Sequence, residues 1–111
     1  MAQEHGINNT DINRLVHQIV NEFPAKEIFL FGSYAYGDPQ NESDIDLCII
    51  TDQKGKKIDL LKQIRRAIAP IVTKPVDLLV YNKNEFYEKA ALNNTFEHKI
   101  KNEGIKLYEK P

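Results

Sequence analysis

The chain is poor in the features that mark secreted, membrane-bound or nucleic-acid-binding proteins. It has one cysteine, Cys48, so no intrachain disulfide can form. That residue lies inside the apolar run Leu47-Cys48-Ile49-Ile50, which predicts a buried, inert thiol. No hydrophobic run approaches the ~20 residues that a bilayer requires. The first residues, MAQEHGINNTD, hold no basic segment followed by an apolar one. No secretory signal is therefore expected, and a cytoplasmic location is the default. Charge of one sign is missing as well. Fifteen basic and sixteen acidic residues leave a formal charge of −1, so no global field draws the chain to nucleic acid or an anionic membrane.

Common catalytic signatures are also absent. There is no Walker A sequence and no G-x-G-x-x-G, which removes two phosphate-binding classes. Gly32-Ser33-Tyr34 is not a G-x-S-x-G elbow, and no nearby His–Asp pair supports a serine nucleophile. Asp38 to Asp46 lacks the glycine and terminal glutamate of an EF-hand. His5, His17 and His98 are scattered, and His17, beside an apolar helix stripe, is expected to be structural. Lys54, Lys56 and Lys57 are expected to form a solvated turn.

What remains is a soluble globular composition. The 111 residues are 41% hydrophobic and 28% charged, a size and balance that fit one domain with a single core. That leaves room for a catalytic core but little for a separate substrate-binding domain. Residues 1–9 are polar and aperiodic, so a loose end is expected. From Thr10, the residues Ile12, Leu15, Val16, Ile19, Val20 and Phe23 repeat on one helix face until Pro24. Glu27–Phe31 reads as a strand, Asp38–Glu42 as a loop, and Ile45–Ile50 as a strand apolar enough to be covered on both faces. Asp52–Lys57 is a charged turn. Ile58, Leu61, Ile64, Arg65 and Ile68 trace a helix ending before Pro70, and Val76–Tyr81 is a third strand. Asn82 with Glu85 and Asn94 with Glu97 resemble capping boxes that open helices over 83–92 and 95–103. Gly104 is placed to end the second helix, and Ile105–Tyr108 is a candidate last strand. The alternation predicts an α/β (α+β) domain with a small mixed β-sheet flanked by helices.

Three aspartates carry the candidate chemistry. Asp44 and Asp46 flank Ile45 at the start of the second strand, and residues two apart on a strand point the same way. Adjacent carboxylates repel unless a cation or proton sits between them. Mg²⁺ favours a few carboxylates plus phosphate oxygens. Asp77 lies in the otherwise apolar strand Val76-Asp77-Leu78-Leu79-Val80, where its charge needs compensation. If the second and third strands are neighbours, it reaches the same cluster, as a two-metal site requires. Each residue also has an ordinary reading: Asp44 capping a turn, Asp46 pairing with a lysine, Asp77 bridging to Arg65 or Arg66. Gly32-Ser33 follows a strand and offers backbone N–H groups and a hydroxyl to a phosphate, or else it is a plain strand-to-helix turn with Ser33 as N-cap.

In combination these pieces are specific. Phe31-Gly32-Ser33-Tyr34-Ala35-Tyr36-Gly37 through Ser43-Asp44-Ile45-Asp46-Leu47, with Val76–Val80, resembles the signature of the nucleotidyltransferase superfamily that includes DNA polymerase beta and kanamycin nucleotidyltransferase. In size the chain is similar to minimal nucleotidyltransferases, many of which are antitoxins paired with HEPN-domain ribonuclease toxins. The resemblance implies that Gly32 and Ser33 bind the triphosphate and that Asp44 and Asp46 bind two Mg²⁺ ions. It also implies that Asp77 binds the catalytic metal and helps deprotonate the acceptor. The implied reaction is transfer of AMP from ATP to a tyrosine of the toxin (AMPylation). Many relatives carry Arg where this chain has Tyr36, which brings no charge. The alternatives are an antitoxin that acts by binding alone and an aminoglycoside-type small-molecule transferase. The last would need a homo-oligomer, because the chain is too short to hold a second domain. A toxin protein and a nucleoside triphosphate are the expected partners; membrane and nucleic acid are not.

Overall fold

The computed structural model describes residues 9–37 and 44–111. The loose end expected over residues 1–9, Asn9 aside, and the loop expected over Asp38–Glu42 lie outside the described residues. The elements run α1 (Thr10–Glu22), β1 (Ala25–Phe31), α2 (Ser33–Tyr36), β2 (Ile45–Thr51), α3 (Lys57–Ile68), β3 (Val76–Asn82), α4 (Lys83–Ala90), α5 (Phe96–Glu103) and β4 (Ile105–Glu109). The strands form one mixed sheet in the order β3-β2-β1-β4. β1 is antiparallel to both β2 and β4, whereas β2 and β3 run parallel.

Alternation along the strands divides the core into two layers. Ile28, Leu30, Leu47, Ile49, Leu78 and Val80 face α1 and α3, which contribute Ile12, Leu15, Ile19, Leu60, Ile64 and Ile68. On the other face Phe29, Phe31, Cys48, Ile50 and Tyr81 pack against Phe86 and Ala90 of α4 and Ile100 of α5. Helices therefore cover both faces of β2, as its unbroken apolar sequence predicts. Cys48 is fully buried, and burial pushes its thiol pKa well up. Burying one Leu or Phe side chain contributes about 2–3 kcal/mol, so the central strands anchor the site they carry.

All four strands run one or two residues beyond the expected bounds, and buried polar groups in β1 and β2 find partners. Thr51 is fully buried, and its hydroxyl donates to the Pro24 carbonyl at 2.6 Å. Glu27, also buried, accepts from the Tyr87 hydroxyl and pairs with Lys106.

Helix ends differ from the expectation in detail. Asn82 caps α4 by accepting from the Asn84 N–H, but Glu85 does not close a box. It pairs instead with Lys57 at 2.7 Å and Lys89 at 3.4 Å. α5 is capped by Thr95, not Asn94, through the His98 N–H at 3.0 Å. Glu97 accepts from the Tyr81 hydroxyl. Gly104 ends α5, but in extended backbone (φ −72°) rather than the left-handed region. Its glycine is required by crowding: a Cβ there would lie 2.5 Å from the Ile100 carbonyl oxygen and 2.8 Å from that of Leu30. His17, expected to be structural, is exposed on α1.

Candidate active site

Two of the three aspartates, Asp46 and Asp77, lie side by side at one end of the parallel pair β2–β3. A backbone hydrogen bond from Ile45 N–H to the Pro75 carbonyl, 3.1 Å long, fixes where the two strands begin together. From there the register sets Asp46 directly beside Asp77. Residues 46 and 48 share a strand face, as do 77, 79 and 81. Cys48, Leu79 and Tyr81 belong to the α4/α5 layer, so both carboxylates lie on that side of the sheet. Asp44 immediately precedes β2.

The electrostatics follow from this crowding. Partial burial raises the Asp46 pKa from 3.8 to about 6. The adjacent Asp77 carboxyl, close enough to share a proton, adds to the rise, and the Asp44 charge adds more. Asp46 and Asp77 thus form the intimate pair, while Asp44 acts on Asp46 through its charge. Among the described residues no group of three Asp, Glu, His or Cys side chains forms a preformed metal cage. Nor does Asp77 pair with Arg65 or Arg66 among the described residues; Arg65 donates to the Val76 carbonyl at 3.3 Å.

Gly32 presses on this pair from β1. Phe31 is the register partner of Asp46, so the chain leaves β1 next to the carboxylates. Gly32 adopts φ +75° and ψ −158°, a region open essentially to glycine alone. A Cβ at this position would lie 1.9 Å from the Asp46 Oδ2 atom. The glycine is therefore demanded twice, by backbone conformation and by the space the carboxylate occupies. Ser33 begins the single turn of α2 and is exposed; its side chain makes no cap, contrary to the N-cap alternative. Bare glycine backbone and aspartate oxygens lie side by side here, and the exposed Ser33 follows directly in the chain. An all-oxygen donor set of this kind suits a hard divalent cation such as Mg²⁺ together with phosphate oxygens.

Two residues that sequence reasoning did not assign to the site also face it. Lys99 of α5 sets its ammonium 4.8 Å from the centre of the Tyr36 ring. Phe96, one turn earlier, packs edge-on against Phe31 with ring centres 5.5 Å apart and stays half exposed. Their only sequence signal is the three-residue spacing that places them on one helix side; contact with β1 and α2 arises from tertiary packing. The Tyr36 hydroxyl is buried without a hydrogen-bond partner among the described residues. Burial raises its pKa, the Gly32 backbone opposes the rise, and the Glu103 and Asp46 charges add to it. Tyr34, on the other side of α2, accepts from Lys74 at 2.8 Å. Depressions of about 550 Å³ beside Arg65 and Lys74 and about 360 Å³ beside His17 are not lined by the three aspartates.

The family model for the nucleotidyltransferase domain matches residues 12–102. The chain belongs to the nucleotidyltransferase family. Two proposed protein adenylyltransferases of Methanocaldococcus jannaschii support the same membership. MJ0435 is 30% identical over 68% of this chain and 81% of that protein. MJ0604 is 34% identical over 75% and 78%. Solved nucleotidyltransferase-like structures share the fold. A proposed nucleotidyltransferase from Sulfolobus solfataricus aligns with a TM-score of 0.62 at 18% identity, covering 96% of this chain and 93% of that one. A toxin–antitoxin structure with AMP-PNP gives 0.60 at 19% identity over 92% and 75%. The MntA–HpeT toxin–antitoxin structure, with two substituted aspartates, gives 0.55 at 16% identity over 88% and 72%.

Proposed function

We propose that this nucleotidyltransferase is a magnesium-dependent protein adenylyltransferase that moves AMP from ATP to a tyrosine of a HEPN-domain toxin, and so acts as its antitoxin. The observation that carries the reading is the juxtaposition of Asp46 with Asp77 and of both with the glycine turn at Gly32. The names of the adenylyltransferase relatives support a protein as acceptor, and the toxin–antitoxin neighbours support a toxin as partner; the HEPN class and the tyrosine are what the sequence resemblance implies. The whole of 1–111 works here as one minimal domain.

In this reading Gly32 N–H and the Ser33 hydroxyl donate to the phosphates. Two Mg²⁺ ions would be held by Asp44, Asp46 and Asp77. When bound, they would neutralise the carboxylates against the phosphates and lower the pKa of the acceptor hydroxyl. Asp77, exposed at the site's edge, takes the acceptor proton as the tyrosine oxygen bonds to the α-phosphorus. The bond from that phosphorus to the β-phosphate oxygen breaks and pyrophosphate leaves. The chain's part is to place these groups and the acceptor in line, a source of large rate gains.

The test is incubation of the native chain with α-labelled ATP, Mg²⁺ and its cognate toxin. Label should move to the toxin with the native chain and not with an Asp44→Asn, Asp46→Asn double variant. Absence of transfer by the native chain, or equal transfer by both, rejects the reading. Tyr36, uncharged where many relatives carry arginine, favours a second reading in which the chain neutralises its toxin by occlusion. Full protection of cells by the double variant would establish that one instead.

A further inference from the structure

We propose that Lys99 is a triphosphate-binding residue of this site and that the Tyr36 ring is its positioning residue. The inference rests on the nucleotide reading above and adds the cation that reading lacks. Asp44, Asp46 and Asp77 repel a polyanionic triphosphate wherever metal does not screen them. Gly32 and Ser33 offer only neutral donors. A positive side chain of the protein is needed on the same side of the sheet.

α5 supplies one. Phe96 touches Phe31 and Lys99 touches Tyr36. Phe31 and Tyr36 bracket Gly32-Ser33 in the chain, so two contacts one turn apart on α5 straddle the glycine turn. Tyr36 is itself near enough to Asp46 to feel its charge. Lys99 is exposed and forms no ion pair among the described residues. Lys74, seated on the other α2 tyrosine, is less suited. Tyr34 packs into the α1/α3 layer, across the sheet from the aspartates.

Magnitudes decide where the ammonium goes when a phosphate arrives. A solvent-exposed ammonium over an aromatic ring, as Lys99 is over Tyr36, gains about 0.5–1 kcal/mol. A charge-assisted hydrogen bond is worth about 1.5–3 kcal/mol. Lys99 therefore leaves the ring for a phosphate oxygen, and the ring holds it close by in the meantime.

The experiment is calorimetric titration of the full chain with Mg·ATP and with adenosine. Lys99→Met should weaken ATP binding about ten-fold and leave adenosine binding unchanged, with Lys99→Arg restoring most of the ATP loss. Tyr36→Leu should weaken ATP binding in the same selective way, whereas Tyr36→Phe, which keeps the ring, should not. Circular dichroism spectra matching wild type show that each variant is folded. Lys99→Met binding ATP as wild type does, while Asp46→Asn binds it poorly, would overturn the role of Lys99 alone. Equal losses for ATP and adenosine would also overturn it. No Mg·ATP binding by the native chain would overturn both this proposal and the nucleotide reading beneath it.

Discussion

Replacing Gly32 with alanine tests the site's geometry with one methyl group. The cost has two parts. The backbone at φ +75° and ψ −158° costs a non-glycine residue about 1–3 kcal/mol. At about 4 °C per kcal/mol for a domain of this size, the melting temperature falls by about 4–12 °C. The added Cβ would also stand 1.9 Å from Asp46 Oδ2, well inside any tolerable contact. Because β1 and β2 are locked by the core behind them, the carboxylate must give way by about an ångström, and a shift of that size can cost about 100-fold in rate. Gly37→Ala is the internal control. Its backbone is extended (φ −165°) and a Cβ there meets nothing within 4 Å among the described residues. Thermal denaturation and labelled transfer, measured on both variants, should show Gly32→Ala damaged in stability and activity and Gly37→Ala close to wild type. A Gly32→Ala protein as stable and active as the control would refute the reasoning.

Two further outcomes follow from particular contacts. The Asp46 carboxyl is raised to about 6 in the fold, above its unfolded value. Its contribution is therefore fully present below about pH 4 and lost as pH rises through 6. The shift corresponds to about 3 kcal/mol, which solvent exposure reduces to about 1 kcal/mol. The metal-free protein should lose that much between about pH 4 and 6 in denaturant titrations; Mg²⁺ should recover it and Asp46→Asn should abolish the dependence. At the start of α5, Thr95→Ala should cost about 1 kcal/mol and Asn94→Ala nearly nothing, as chemical denaturation would show, because Thr95 makes the capping bond.

Much of the fold is legible along the chain because its signals are local. The apolar stripe from Ile12 to Phe23 and the unbroken Leu47–Ile50 run each settle an element and its burial. The mixed α/β sheet follows from their order. The cap of α5 falls one residue beyond the sequence expectation because Asn94 and Thr95 are both competent caps; only the turn ending at Thr95, which also bonds the Lys89 and Leu92 carbonyls, selects between them. Asp44, Asp46, Asp77, Gly32 and Ser33 stand out because polar residues beside apolar strands need a reason. The register that puts Asp77 beside Asp46 depends on β2 and β3 being neighbours, which no local pattern states. Lys99 and Phe96 carry no such mark. On a polar helix they read as surface residues until α5 is folded over β1 and α2.

The central claim concerns what the aspartates hold. Crystals of the chain grown with Mn²⁺ and a non-hydrolysable ATP analogue would locate the metal by its anomalous scattering. The account predicts metal density between Asp44, Asp46 and Asp77, bridged to phosphates lying on Gly32 and Ser33. Nucleotide bound with its phosphates elsewhere, or metal ligated without these aspartates, would contradict it.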